Sequence, residues 1–120
     1  DCLLAAVPRA AFLRRLAEAR LAVLLPDPTE GFYLPALEAM ALGTPVICPD
    51  AIGNRSFCVS GTTCWQPGYS VKALREAVDQ VLHLPEETVQ AVVTTGQAMA
   101  RQHTLAQERE AFIHLLRGLA

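Results

Sequence analysis

The 120-residue chain predicts an α/β domain built on a parallel sheet, and three observations carry that expectation. Short continuous apolar runs at Cys2 to Val7, Leu21 to Leu25 and Pro45 to Cys48 are each closed by a proline, as suits strands buried on both faces of a parallel sheet. Amphipathic stretches alternate with these runs, and the order strand, helix, strand, helix, strand calls for parallel pairing with right-handed crossovers. With 52% hydrophobic and 18% charged residues, the chain can fill a core and is not a disordered tail. Its length suits one domain rather than two.

The first run is stopped by Pro8. From Arg9 to Arg20, Phe12, Leu13, Leu16 and Ala17 fall on one face and Arg14, Arg15 and Glu18 on the other. That is an amphipathic helix with its arginines solvated. Leu21 to Leu25 is the second strand, ended by Pro26 and Pro28. Residues 26–34 form a loop, and a helix runs from about Pro35 to Leu42, with proline at its first position and Gly43 as its C-terminal cap.

Pro45 to Cys48 is the third strand, followed by a loop from Asp50 to Ser56 with a turn at Gly53-Asn54. Phe57 to Val59 reads as either a short strand or a helical turn, and Gly61-Thr62 leads into a last short strand near Thr63 to Gln66. Ser70 caps a helix with an apolar face of Val71, Leu74, Val78, Val81 and Leu82. Pro85 starts another, with Val89, Val92 and Val93. Thr104 and Gln107 form a capping box for a third, which is expected to bury Leu105, Phe112, Leu115, Leu116 and Leu119. Three successive helices suggest a tail that wraps back or reaches toward a partner.

Ten basic against twelve acidic residues give a net charge of −2 with no basic cluster, which argues against nucleic-acid or anionic-membrane binding. No apolar run approaches the roughly 20 residues of a transmembrane helix, and no basic segment precedes the short run at Leu3 to Val7. Cys2, Cys48, Cys58 and Cys64 show neither Cys-x-x-Cys spacing nor a nearby histidine. They are read as reduced, buried small hydrophobes, with no metal site and a cytoplasmic location. His83, His103 and His114 lack a catalytic partner at suitable spacing and are assigned surface or capping roles, and Trp65 a packing role. There is no nucleophile elbow, phosphate-loop lysine or dinucleotide fingerprint. The chain opens with Asp1, which suggests a piece of something longer.

Ligands of open α/β sheets bind beyond the carboxyl ends of the strands, so the loops at Asp27–Leu34 and Asp50–Ser56 are the places to look. The first leads into a helix whose unpaired amides at Gly31, Phe32, Tyr33 and Leu34 attract anions such as phosphate. Gly31 has no side chain to block a ligand. Glu30 precedes these amides and Glu38 follows them. Two carboxylates around an anion cradle suit a ligand with a diphosphate in its middle and hydroxyl-rich sugars at both ends. The plainer account is that both glutamates favour a helix N-terminus electrostatically.

The longer string Glu30-Gly-Phe-Tyr-Leu-Pro-Ala-Leu-Glu38-Ala-Met-Ala-Leu-Gly-Thr-Pro-Val-Ile-Cys-Pro-Asp50 resembles the donor-binding signature of retaining GT-B glycosyltransferases of family 4, the glycogen-synthase-like group, with seven residues between the glutamates. The likeness extends more loosely from Leu21 to the Pro67-Gly68 turn and the helix after it. It implies a Rossmann-like C-terminal donor domain, here in part: sheet and donor loops at about residues 1–68 and C-terminal helices at 69–120. The implied activity is hexosyltransferase-type and retaining, from a nucleotide diphosphate-sugar donor to an unidentified acceptor, with no cofactor or metal.

The resemblance also implies roles. Glu30 would hold the transferred sugar, as a positioning and electrostatic residue rather than a base. Glu38 would bind the ribose hydroxyls, and the amides of Phe32, Tyr33 and Leu34 would face sugar and phosphates. Tyr33 stands where many members have glycine. The Ala51 to Phe57 text departs from the common Gly-Gly-x-x-Glu form, leaving that loop without an assigned role and Arg55 as a solvated arginine.

The family's Arg and Lys on the diphosphate, and its N-terminal acceptor domain, lie upstream of anything present here. Leu3 to Val7 would be the third strand of the C-terminal domain, and the strands between it and the others would be missing, so the piece alone is expected to be inactive and aggregation-prone. The alternative from another class is a non-catalytic, truncated interaction module. A nucleotide-sugar epimerase of similar shape fits the Glu30–Glu38 string less well.

Overall fold

A computed structural model describes residues 7–119, the side chain of Leu105 excepted. The first predicted strand therefore lies, apart from Val7, outside the described residues, as does Cys2. The chain then forms α1 (Arg9–Glu18), β1 (Ala22–Val23), α2 (Leu34–Ala41), β2 (Val46–Ile47), a single 3-10 turn at Ile52–Asn54, α3 (Val71–His83), α4 (Glu86–Arg101) and α5 (Leu105–Gly118). This is an α/β fold, with a parallel sheet flanked by helices.

β1 and β2 pair in parallel, with Ala22 opposite Val46 and Val23 opposite Ile47. The ladder extends slightly past both strands, from the Ala22 amide to the Pro45 carbonyl and from the Leu24 amide to the Ile47 carbonyl. The strand expected near Thr63 to Gln66 is reduced to a parallel bridge at Trp65: its amide donates to Val46, and its carbonyl accepts from Cys48. β1 departs from expectation too. Ala22 is buried but Val23 and Leu25 are exposed, so among the described residues this strand is covered on one face rather than two.

α2 is the central helix. Ala36, Leu37, Ala39 and Met40 are buried, and the helix packs chiefly on α4. Close approach depends on Gly96 in α4, where an added Cβ would meet the Thr63 carbonyl at 3.0 Å and Met40 at 3.6 Å. The C-terminus of α2 closes as the Gly43 expectation requires. Gly43 has φ +78°, its amide donates to Met40, and the Thr44 amide donates to Ala39, the paired bonds of a Schellman motif. The buried Thr44 hydroxyl then donates to the Leu16 carbonyl at 2.6 Å, tying α1 to the same corner.

Ser70 and Thr104 cap α3 and α5 as predicted, the latter in a capping box with Gln107. Two apolar faces need correction. In α3 the buried residues are Ala77 and Val81, packed with Ile47 and flanked by Leu74 and Val78, whereas Val71 is 75% exposed and takes no part in that cluster. In α5, Phe112, Leu115, Leu116 and Leu119 are exposed rather than buried. The helical periodicity there is real, but the described chain folds nothing against it.

Replacing Gly43 with alanine should destabilise the protein by about 1–2 kcal/mol, the cost of a Cβ in left-handed backbone. Urea unfolding checks this, and an unchanged midpoint would mean that the α2 corner does not need positive φ.

Candidate functional site

Parallel pairing of neighbouring strands sends the loops after β1 and β2 to the same edge of the sheet, and there they touch. The Gly53 amide donates to the Glu30 carbonyl at 3.0 Å, and the Ile52 amide to the Pro28 carbonyl at 3.2 Å. The approach is so close that a Cβ on Gly53 would fall 0.7 Å from the Gly31 carbonyl oxygen. Glycine is required at 53 by this contact alone.

Asn54 completes the clasp. Its fully buried side chain accepts the Tyr33 amide on Oδ1 at 3.0 Å, and its Nδ2 donates to Cys48 Sγ at 3.7 Å. The amide of Tyr33, expected to face a ligand, is thus already paired inside the protein. The reason is that α2 has no side-chain cap of its own, since Tyr33 stands at the N-cap position, and Asn54 satisfies that orphan donor from the neighbouring loop. The amides of Gly31, Phe32 and Leu34 have no acceptor among the described residues. All three residues are exposed, and open space surrounds the position of a Cβ on Gly31. The hollow is open.

Within the loop, Asp27 accepts from the Thr29 amide at 2.9 Å and the Thr29 hydroxyl at 2.6 Å. The Thr29 hydroxyl, followed by its amide, holds the Asp27 carboxyl below the usual range. Glu30 folds back so that Oε2 accepts the Asp27 amide at 3.1 Å, and the residue remains exposed. Phe32 is pinned by an aromatic cluster, with ring centroids 5.1 Å from Phe57 and 5.8 Å from His103. His103, assigned a surface or capping role from sequence, is a packing residue of this loop. Tyr33 is half-buried, and desolvation, then the charges of Cys48 and Glu30, push its phenol up.

Glu38 sits on α2 with only 11% of its side chain exposed. Oε1 accepts from Arg9 Nη1 at 3.0 Å, and Oε2 is buried without a partner among the described residues. An unpaired carboxylate oxygen at that depth is costly to leave so. Arg9 belongs to a helix with its arginines read as solvated, but its spacing to Phe12, Leu13 and Leu16 sets it on their side of the helix, and its partner lies 29 residues away. Arg55 is not free either: its guanidinium grips Asp50 through Nε at 3.1 Å and Nη2 at 2.7 Å. That pair holds the Asp50 carboxyl below its ordinary range.

A cavity of about 380 Å³ lined by Arg20, Pro45, Val81, Glu86 and Gln90 lies at the opposite, amino edge of the strands, away from these loops. Among the described residues no group of His, Cys, Asp and Glu could hold a metal ion, and no helix is long and apolar enough to cross a membrane.

Residues 4–99 match the family described as "Glycosyl transferases group 1". The chain belongs to this family. Among solved structures, this group 1 glycosyl transferase chain is similar to Anabaena Alr3699/HepE, seen in complex with UDP and glucose and with UDP-glucose, at 19% identity and a TM-score of 0.81 over 92% of this chain and 30% of that one. It is also similar to a GtfA/B complex, at 20% identity and a TM-score of 0.71 over 89% of this chain and 22% of that one. The chain thus spans less than a third of the length of the solved chains it matches. No curated protein matches it significantly. The structural likeness carries the fold, consistent with the C-terminal donor domain of the GT-B architecture.

In this group 1 chain the Gly53 contact is a sharp test of the clasp. Gly53→Ala must push the Gly31 carbonyl away, so hydrogen–deuterium exchange at the Gly53 and Tyr33 amides should accelerate while the sheet amides of Leu24 and Trp65 stay protected. Equal protection in variant and wild type would show that the two loops are not in contact.

Proposed function

We propose that the intact protein is a retaining, hexosyltransferase-type glycosyltransferase that transfers a sugar from a nucleotide diphosphate-sugar to an acceptor. In this reading the chain is part of the donor-binding domain, with residues of about 1–68 forming sheet and donor loops and 69–120 the C-terminal helices. Membership of the group 1 family supports it, as does the binding of UDP and UDP-glucose described for Alr3699/HepE.

The observation that carries the reading is the open Glu30–Leu34 hollow: three amides without an acceptor among the described residues, on a clasped loop, between an exposed carboxylate and a nearly buried one. The amides of Gly31, Phe32 and Leu34 donate to the diphosphate and the sugar, helped by the N-terminus of α2. The Tyr33 amide is withdrawn from that set because Asn54 holds it. Glu30 keeps Oε1 for a sugar hydroxyl while its own loop engages Oε2, so it positions the sugar and stabilises developing positive charge at the reacting carbon. Glu38 accepts a ribose hydroxyl, while Arg9 holds its carboxylate in place. No step needs a metal ligand or a protein nucleophile. The basic pair on the diphosphate and the acceptor site come from other parts of the intact protein, so this piece alone turns nothing over.

A second reading has its own observation. The exposed apolar face of α5, with Phe112 at 58% and Leu119 at 77% exposure, suits a non-catalytic interaction module. Nucleotide binding separates the two.

In the intact protein, Glu30→Gln should lower sugar transfer by on the order of a hundredfold, as when one transition-state contact is removed. Near-normal turnover would remove Glu30 from the reaction. Glu38→Ala should weaken nucleoside diphosphate binding by about tenfold to a hundredfold, the worth of a hydrogen bond to a charged group. Calorimetry with UDP, GDP and ADP reads this directly, and an unchanged Kd would take Glu38 out of the ribose site. If no nucleotide binds the wild type, the interaction module is the better account.

A further inference from the structure

Trp65, assigned a packing role from sequence, does pack against the cluster of Ile47, Ala77 and Val81. It is only half-buried, however, and it also lines a shallow cavity of about 290 Å³ between the outer edge of the sheet and α3. Pro67 and Ala77 add to the apolar wall of this cavity, and Ser60, Gln66, Glu76 and Gln80 form the polar one. No residue of the Asp27–Leu34 or Asp50–Ser56 loops borders it. Nothing in the donor-binding reading uses it.

The polar groups of the cavity are largely free to bind. Gln66 Nε2 is buried without an acceptor among the described residues, a costly state for an amide. A half-turn of that amide exchanges its NH₂ and carbonyl ends, so the side chain can offer a ligand either one. The Ser60 hydroxyl accepts the Gln66 backbone amide at 3.0 Å, which leaves its own proton to donate. The Trp65 indole N–H and the Gln80 side chain have no partner among the described residues. Glu76 has only a contact of 4.0 Å with Lys72, and both side chains are mostly solvated. Several donors and one loosely held carboxylate therefore surround an indole ring.

We propose that this cavity binds one ring of a neutral saccharide. A sugar hydroxyl both accepts and donates, so two neighbouring hydroxyls can take hydrogen bonds from Gln66, Ser60 or the indole and return one to Glu76. The C–H face of a pyranose ring is apolar and suits the indole and Pro67. Other ligands answer fewer of these groups. A carboxylate or phosphate is repelled by Glu76. An ammonium ion is drawn to Glu76 and to the face of the indole, but it leaves the Ser60, Gln66 and indole donors unanswered. The volume admits a single ring, and the open mouth lets a longer chain continue into solvent. A glycan bound here is held by a unit away from the donor loops, and the inference does not depend on the donor-site reading.

The test follows the Trp65 indole N–H resonance of the intact protein, assigned by through-bond correlation, while maltotriose, cellotriose and chitotriose are added separately. At least one should shift it with a Kd of about 1–10 mM, the weak range of a single-ring site. Saturating UDP should leave that Kd unchanged. Glu76→Gln and Gln80→Ala alter exposed positions of α3, so thermal unfolding should not move. Each should raise the saccharide Kd by about threefold to tenfold, the worth of one hydrogen bond. No shift with any of the three at about 50 mM, well above that range, would overturn the proposal. So would a shift that both variants leave untouched, competition by UDP, or a shift with choline and none with the saccharides. Nucleotide binding is read separately by calorimetry, so failure of the donor-site reading leaves this outcome to stand or fall alone.

Discussion

The contact between the Glu30–Gly31 backbone and Gly53 governs the arrangement of everything around it. Two loops leave adjacent parallel strands at the same sheet edge, and each carries backbone donors and acceptors that must be paired once water is excluded. They pair with one another: Gly53 to Glu30, Ile52 to Pro28, and Asn54 to Tyr33. Such proximity is possible only because residue 53 has no Cβ. The loop entering α2 is therefore shaped by its neighbour before any ligand arrives, so less ordering is left for binding to accomplish.

The rest of the fold keeps this clasp in register. α2 is held at its far end by the Gly43 turn and by the Thr44 hydroxyl on Leu16, and along its side by Met40 against Gly96. Glu38 consequently projects from a helix that is fixed at both ends. Phe32 is anchored on Phe57 and His103, so the turn between α4 and α5, far along the chain, contributes to a loop that follows β1. The Arg9–Glu38 pair adds little stability, because the Arg9 end is two-thirds exposed. Its effect is on where the carboxylate points.

Much of the frame was legible in the sequence because it follows from local rules. Proline-bounded apolar runs located the two paired strands, Gly43 and Ser70 marked helix ends, and the long Glu30–Asp50 string pointed to the family that the match over residues 4–99 shows. What escaped depended on partners distant in sequence. Gly53-Asn54 reads as an ordinary turn; nothing local says that the glycine yields to Gly31 or that the asparagine caps another loop's helix. Arg9 and Arg14 are arginines of the same helix, yet it is Arg9 that meets Glu38, a partner 29 residues away that the sequence does not announce. The apolar stripe of α5 and the valine at 71 show the opposite failure, since periodicity marks a face that can be covered without saying what covers it.

The account is tested most directly by following backbone amide resonances of the intact protein while a nucleoside diphosphate is added. The amides of Gly31, Phe32 and Leu34 should move most, while that of Tyr33, already bonded to Asn54, should move less than its neighbours. Shifts confined to Arg20, Gln90 and the cavity at the amino edge of the strands, with the Gly31–Leu34 amides unmoved, would contradict it.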